Sequence, residues 1–132
     1  NRYSGKGVND PAFGGLGTTL VQWTSSGQTN ERWVIAPTSS TSSTYYTITC
    51  VDNGLRASVN GSTANGGVVS LRTASSSNDQ QWSVTANGNY YRFTNRLSGK
   101  VLEVYGASLS DGAVIDQWAG DSNQNKDWTV AQ

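Results

Sequence analysis

Apolar residues along the chain come in short runs such as Thr19-Leu20-Val21 and Val68-Val69-Ser70-Leu71, never at the i, i+3, i+4, i+7 spacing of an amphipathic helix. Glycine interrupts every stretch long enough to be a helix, so the pattern predicts short β-strands. Residues 81–85 and 90–94 flank Ala86-Asn87-Gly88-Asn89, whose Asn-Gly pair tolerates the positive φ of a tight turn, and this predicts a hairpin. A second hairpin is predicted from Trp33-Val34-Ile35 and residues 45–49. The Ser/Thr-rich loop 36–44 that joins its strands is expected to be solvated and mobile.

The two hairpins are copies of one another, and the likeness extends along the chain. Asn1-Arg2-Tyr3-Ser4-Gly5-Lys6 matches Asn95-Arg96-Leu97-Ser98-Gly99-Lys100 at five of six positions, and Tyr45-Tyr46 matches Tyr90-Tyr91. Asn30-Glu31-Arg32-Trp33, Asp79-Gln80-Gln81-Trp82 and Asn125-Lys126-Asp127-Trp128 each end in a Trp with a Val within two residues after it. Three repeats of about 45 residues follow, at roughly 1–49, 50–94 and 95–132, within one domain. A propeller needs at least about four blades, so three units of about four strands predict an all-β fold closed on a pseudo-threefold axis, a β-trefoil. Trp33, Trp82 and Trp128 are expected to supply one core residue per unit. Units two and three are preceded by strands at 45–49 and 90–94, whereas unit one starts at Asn1 with no such strand before it.

Composition fits that reading. Ser, Thr, Asn and Gly make up 59 of the 132 residues, a content that by itself suggests disorder, but five Trp and six Tyr supply apolar area for a core. Nine Lys and Arg balance nine Asp and Glu, which argues against nucleic-acid binding through many phosphate contacts. With no His, a His general base, a Ser-His or Cys-His pair and any His-containing zinc site are excluded, and no metal-ligand cluster or cofactor motif appears. Cys50 has no internal disulfide partner and reads as a small buried residue. No apolar run approaches the roughly 20 residues that span a bilayer, residue 1 does not begin a signal peptide, and the chain is expected to be a mature or excised piece.

Candidate chemistry starts from the remaining tryptophans. Units one and three carry a second Trp ten residues before the core one, Trp23 and Trp118, where unit two has Arg72. A Trp missing from one unit is not required by a shared core, so these two are expected on the surface, where an exposed indole marks contact with a ligand. An indole plate suits the C–H face of a sugar ring, and a nearby carboxylate and amide can read its hydroxyls. Glu103 precedes Trp118 by 15 residues and Asn125 follows it by 7. Around Trp23 the corresponding residues are Asp10 or Asn9, and Asn30. The sequon Asn60-Gly61-Ser62 reads more simply as a turn.

The Gln80-Gln81-Trp82 signature, its looser forms ending at Trp33 and Trp128, and the run Ser-Gly-Lys-Val-Leu-Glu-Val-Tyr-Gly from Ser98 to Gly106 resemble the ricin B-chain-like, or R-type, lectins, also called family 13 carbohydrate-binding modules. The resemblance covers essentially the whole chain. It implies a β-trefoil with up to three sugar pockets, each built from an acid, an aromatic stacker and an Asn before the Gln-any-Trp position. Carried across, the third pocket is Glu103, Trp118 and Asn125, with Glu in place of the family's more common Asp. The first pocket is Asp10 or Asn9 with Trp23 and Asn30, and its spacing is one or two residues shorter. In the second, Ser58 or Ala57, Arg72 and Asp79 replace the trio, which predicts a silent pocket.

The expectation is therefore a secreted, non-catalytic, monomeric module that binds neutral poly- or oligosaccharide and is linked to a glycoside hydrolase, with no nucleic-acid or membrane partner. Galactose-configured chains come first and xylan second as ligands, by the family's habit. Two other classes are weaker. A glycosidase pairing Glu103 with Asp116 or Asp121 has no supporting motif. A protein-interaction module such as a protease inhibitor would need an anchor on a projecting loop, and 36–44 carries no Lys, Arg, bulky apolar or aromatic residue.

Overall fold

The computed structural model describes residues 1–41 and 44–131. Among them lie ten strands: β1 (Gly7–Asn9), β2 (Val21–Trp23), β3 (Trp33–Pro37), β4 (Tyr46–Cys50), β5 (Arg56–Ser58), β6 (Ser70–Arg72), β7 (Trp82–Asn87), β8 (Tyr90–Asn95), β9 (Val101–Val104) and β10 (Ile115–Trp118). The described residues contain no α-helix, only single 3₁₀ turns. The absence of helical periodicity in the sequence is thus matched by an all-β chain.

The β-trefoil arises from three short hairpins and their long companions. β1–β2, β5–β6 and β9–β10 pair antiparallel, and single bridges Thr19↔Ser70, Val68↔Asp116 and Val21↔Val114 join the three around a closed ring. Closing the ring leaves these short strands without a free edge. The longer hairpins β3–β4 and β7–β8 cover one end of that ring, and Trp128 bridges to Tyr91 at the third position. Gly88, at φ +63°, turns between Asn87 and Tyr90, so β7 runs two residues closer to the turn than the expected 81–85, while β8 starts at Tyr90 as expected and continues to Asn95. Likewise Ala36 and Pro37 continue β3 opposite Thr47 and Tyr46, which shortens the expected loop 36–44 because the facing strand offers them partners. Part of that loop, Ser42 and Ser43, lies outside the described residues.

The threefold relationship is written in equivalent hydrogen bonds. The amides of Gly5, Gly54 and Gly99 donate to the carbonyls of Asn1, Cys50 and Asn95. The indole N–H groups of Trp33, Trp82 and Trp128 donate to the carbonyls of Val8, Ala57 and Leu102. Leu20, Val69 and Ile115, one per unit, meet in the core. Cys50 is buried, and burial pushes its thiol up.

One expectation for the core needs correction. Trp82 and Trp128 are fully inside, but Trp33 is only half-buried. Tyr46 pairs with Trp82 and Tyr91 with Trp128, whereas among the described residues no strand lies beside Trp33 at the equivalent place. That side of the indole borders an open groove of about 850 Å³.

Candidate functional site

Strand alternation builds the site in the third unit. Leu102 and Val104 of β9 belong to the core cluster, so Glu103 points to the opposite face. Across the ladder Glu103 pairs with Asp116 and Val101 with Trp118, which puts Glu103, Asp116 and Trp118 on one face of the β9–β10 hairpin. The 3₁₀ turn Gln124–Lys126 lies over β9 and delivers Asn125 and Lys126 to the same place.

The carboxylates sit at the bottom of this site. Glu103 is 3% exposed and Asp116 1%. Glu103 Oε2 accepts from Lys126 Nζ at 2.9 Å and Asn125 Nδ2 at 3.0 Å, and Lys126 also donates to Asp121 Oδ2 at 3.1 Å. Burial opposes the charge on Lys126, but Glu103 and Asp121 together hold its pKa up. Neither oxygen of Asp116 receives a donor from a described side chain or amide. Burial first, and the Glu103 carboxylate beside it second, push Asp116 up to about 8. Burial and the neighbouring Glu103 carboxylate therefore both favour the neutral acid form of Asp116. Glu103 thus anchors the site floor, with one oxygen already committed, and is less open to a ligand than the sequence alone suggested.

Above the carboxylates the walls are aromatic. Trp118 is 36% exposed, and Tyr105 stands beside it with ring centroids 6.5 Å apart and planes tilted by 51°. The sequence reading missed Tyr105 as a site residue. The signal was present: strand period two places it on the Glu103 face, directly after the Leu-Glu-Val run. Lys126 was also missed, since a Lys between Asn125 and Asp127 carries no local pattern. The side-chain amide nitrogen of Asn125 is tied to Val104 O at 2.9 Å as well as to Glu103, and its oxygen has no donor.

The first unit repeats this frame with different chemistry. Asn9, next to Val8 as Glu103 is next to Leu102, takes the acid position and faces Val21 across the ladder. Asp10 is fully buried and directed elsewhere: its carboxylate accepts from the Gly15 amide at 3.1 Å and from Asn53 Nδ2 at 3.1 Å. Asn30 Nδ2 donates to Asp10 O at 3.0 Å, and its oxygen lacks a donor, as in Asn125. Trp23 is 46% exposed. Asn9, Trp23 and Asn30 therefore occupy the places of Glu103, Trp118 and Asn125, while Asp10 serves the loop beneath.

In the second unit the same space is filled from within. Asn60 Oδ1 accepts from Ser70 Oγ and from Arg72 Nε, both at 2.7 Å, and Asp79 Oδ2 accepts from the Gly61 amide at 3.0 Å. Ser58 and Ala57 are buried and bring no acid. Asn60 works here as a turn residue at φ +57° whose amide is occupied by Val68 O.

Each surface indole rests on a neighbouring unit. A Cβ at Gly66 of unit two would lie 3.6 Å from Trp118 Cζ3, and one at Gly112 of unit three 3.7 Å from Trp23 Cζ3. The residue after each Trp is pinned across the same boundary, Thr24 N to Asp111 Oδ1 at 2.8 Å and Ala119 N to Asn65 Oδ1 at 2.9 Å. These fixed contacts hold each indole in place before any ligand arrives, which lowers the ordering cost of binding.

Residues 1–72 and 78–132 match the family described as ricin-type β-trefoil lectin domain-like. The chain belongs to that family. Among solved structures it is similar to the designed threefold-symmetric protein ThreeFoil, at 31% identity over 97% of this chain and 91% of that one, with a TM-score of 0.92. It is also similar to the exo-β-1,3-galactanase 1,3Gal43A of Clostridium thermocellum, at 28% identity and a TM-score of 0.85, covering 98% of this chain but 28% of that enzyme. The lectin of Polyporus squamosus shares the fold at 12% identity, with a TM-score of 0.80 over 96% of this chain and 44% of that one. No protein of curated function matches the chain. In this member of the family the three equivalent frames carry three different side-chain sets.

Proposed function

We propose that the chain is a non-catalytic carbohydrate-binding module whose principal site lies in the third unit. The observation that carries this reading is the exposed Trp118–Tyr105 pair standing over a buried polar floor of Glu103, Asn125 and Lys126. A sugar ring laid on Trp118 takes its apolar face out of water, and its hydroxyls face the polar floor that Glu103 and Asn125 form. Trp23 with Asn9 and Asn30 forms a second, less acidic site, and the second unit is silent because Arg72 is bound to Asn60.

Galactose-configured chains are the first ligand class and xylan the second. The likeness of this chain to part of a galactanase supports a role in holding an attached glycoside hydrolase on its polymer. In this reading the protein is secreted and acts as a monomer. A single stacked ring gives a Kd of roughly 10 µM to 1 mM, and two sites on one polymer gain by avidity. Calorimetry with galactose, galactan oligomers and xylo-oligomers tests the proposal. Binding of one of these, lost in the Trp23→Ala/Trp118→Ala double variant, supports it, and binding that survives both substitutions refutes the site.

A further inference from the structure

The second unit offers no aromatic wall for a stacked ring, yet it gathers positive charge that nothing nearby answers. Arg56 and Arg72 stand directly opposite each other on β5 and β6, at the place of Val101 and Trp118 in the third unit and of Gly7 and Trp23 in the first. Like charges facing each other across a ladder destabilise it, and neither of the other two hairpins carries a charge there. Among the described residues neither guanidinium forms an ion pair. Arg72 Nε donates to Asn60 Oδ1 at 2.7 Å and Arg56 Nη1 to Ser75 O at 2.9 Å, both neutral acceptors, and Arg56 Nε has no partner. Asp79, which takes the place of Asn125, is turned to the Gly61 amide at 3.0 Å.

Open space adjoins these two side chains. The amides of Gly17, Gly66 and Gly112 donate to the carbonyls of Leu71, Gln117 and Gln22, and their φ values are +83°, +82° and +88°, so the three glycines hold equivalent positions at the three unit boundaries. Trp118 rests on Gly66 and Trp23 on Gly112, but a Cβ at Gly17 meets nothing within 4 Å. Arg72, drawn to Asn60, leaves the indole's place open. The residue before each glycine differs as well. Asp111 and Asn65 accept from the amides of Thr24 and Ala119, whereas Leu16 has no side-chain acceptor for the Thr73 amide, which has no partner among the described residues. Hydrogen-bond donors therefore outnumber acceptors around this space.

We propose that the second unit binds the anionic substituent of an acidic saccharide, a sulfate ester or a carboxylate, with Arg56 and Arg72 as its cationic contacts and the Thr73 amide as a further donor. The N–H fork of a guanidinium suits the oxygens of either group, and an anion beside the two arginines offsets their mutual repulsion. The inference rests on the reading of the chain as a carbohydrate-binding module and extends its ligands to chains that carry acidic substituents. A phosphate polymer fits less well, because the patch is two arginines on one hairpin of a chain whose net charge is zero.

The Trp23→Ala/Trp118→Ala variant removes both stacking walls and isolates the second unit. In calorimetry it is expected to bind a sulfated galactan oligomer but not the desulfated oligomer, with an affinity that falls several-fold between about 50 and 300 mM NaCl. Adding Arg56→Gln and Arg72→Gln is expected to weaken that binding by about tenfold or more. A galacturonan oligomer forms the second arm, and whichever acidic oligomer binds more tightly tells sulfate from carboxylate. In ¹H–¹⁵N spectra, which also show that each variant is folded, the Thr73 amide and the Nε–H signals of both arginines are expected to shift on binding. Failure of both acidic oligomers, equal binding of the sulfated and desulfated forms, or binding that survives loss of both arginines overturns the proposal. So does tighter binding of a single-stranded oligonucleotide of matched charge, which assigns the patch to nucleic acid. Neutral oligomers are titrated separately against the wild-type protein, so failure here leaves the reading of the third unit standing.

Discussion

Gln117 on β10 donates from Nε2 to the carbonyl oxygen of Ser62, 3.0 Å away in the neighbouring unit. It donates again to Ala64 O at 3.1 Å, and its own carbonyl accepts from Ser98 Oγ at 2.6 Å, so the buried amide is satisfied on both sides. Gln22 does the same in the first unit, donating to Ser108 O and Ser110 O and accepting from Ser4 Oγ. The second unit has Leu71 at this place, and its neighbouring loop is held instead by the Asp10 carboxylate. These two glutamines stitch the units together directly behind the exposed tryptophans.

Gln117→Leu copies Leu71 and keeps the volume, but it strands two loop carbonyls and the Ser98 hydroxyl. A loss of about 2–3 kcal/mol in urea-induced unfolding is expected. Because Trp118 lies on Gly66 of the released loop, sugar affinity at the third unit falls as well, while a ligand held at Trp23 is unaffected. A full-strength third site in a destabilised variant contradicts the coupling.

Trp118→Ala removes the stacking wall and is expected to weaken sugar binding by about tenfold or more. Tyr105→Ala weakens it less, by a few-fold, because the ring flanks the site and does not form its floor. Arg72→Ala leaves binding unchanged, since that side chain is engaged with Asn60. Titration of the three variants against the same oligosaccharide separates these outcomes, and a loss at Arg72→Ala equal to that at Trp118→Ala reverses the assignment of units.

Asp116 makes stability depend on pH in a direction that can be worked out. Its carboxyl is raised in the fold to about 8 from an ordinary 3.8, so above about pH 4 the unfolded chain releases a proton that the folded chain keeps. Stability from this group is full below that point and is lost progressively as pH rises to about 8. Asp116→Asn, neutral at every pH and able to donate to Glu103, is expected to flatten this slope and raise Tm at pH 8. Thermal scans between pH 4 and 9 on both proteins check it, and parallel curves rule it out.

The repeat and the trefoil were legible because the marks recur in the chain itself: three terminal tryptophans, paired tyrosines and the Asn-Arg-x-Ser-Gly-Lys motif. The exposure of Trp23 and Trp118 was legible from their absence in unit two. The choice between Asn9 and Asp10 was not, because it depends on a one-residue register that only the ladder Asn9↔Val21 fixes. Nor was the role of Lys126, whose partners Glu103 and Asp121 are brought together by the fold of a 3₁₀ turn onto β9. Trp33 misled for a similar reason. Its place in the repeat is that of Trp82, and the difference is that no described strand pairs with it where Tyr46 pairs with Trp82.

Asp127 governs the acid side of the same profile. It is 1% exposed, and although burial works against its charge, hydrogen bonds from Arg92, Asn87 and Arg2 hold its pKa below 3.8. The contacts are Arg92 Nε to Oδ1 at 2.6 Å, Asn87 Nδ2 to Oδ1 at 3.1 Å and Arg2 Nη1 to Oδ2 at 3.0 Å. This stability is present above about pH 4 and is lost as pH falls through the depressed folded value. With Asp116 losing stability upward and Asp127 downward, the Tm maximum is expected near pH 4–5. Asp127→Ala leaves two arginines facing an emptied, buried position and is expected to cost about 2–3 kcal/mol near neutral pH, a figure reduced by the partial exposure of Arg2 and Arg92. Denaturant titrations at pH 6 and pH 3 check both halves. The loss should shrink at pH 3, and an equal loss at both values would mean that Asp127 acts through packing and not through its charge.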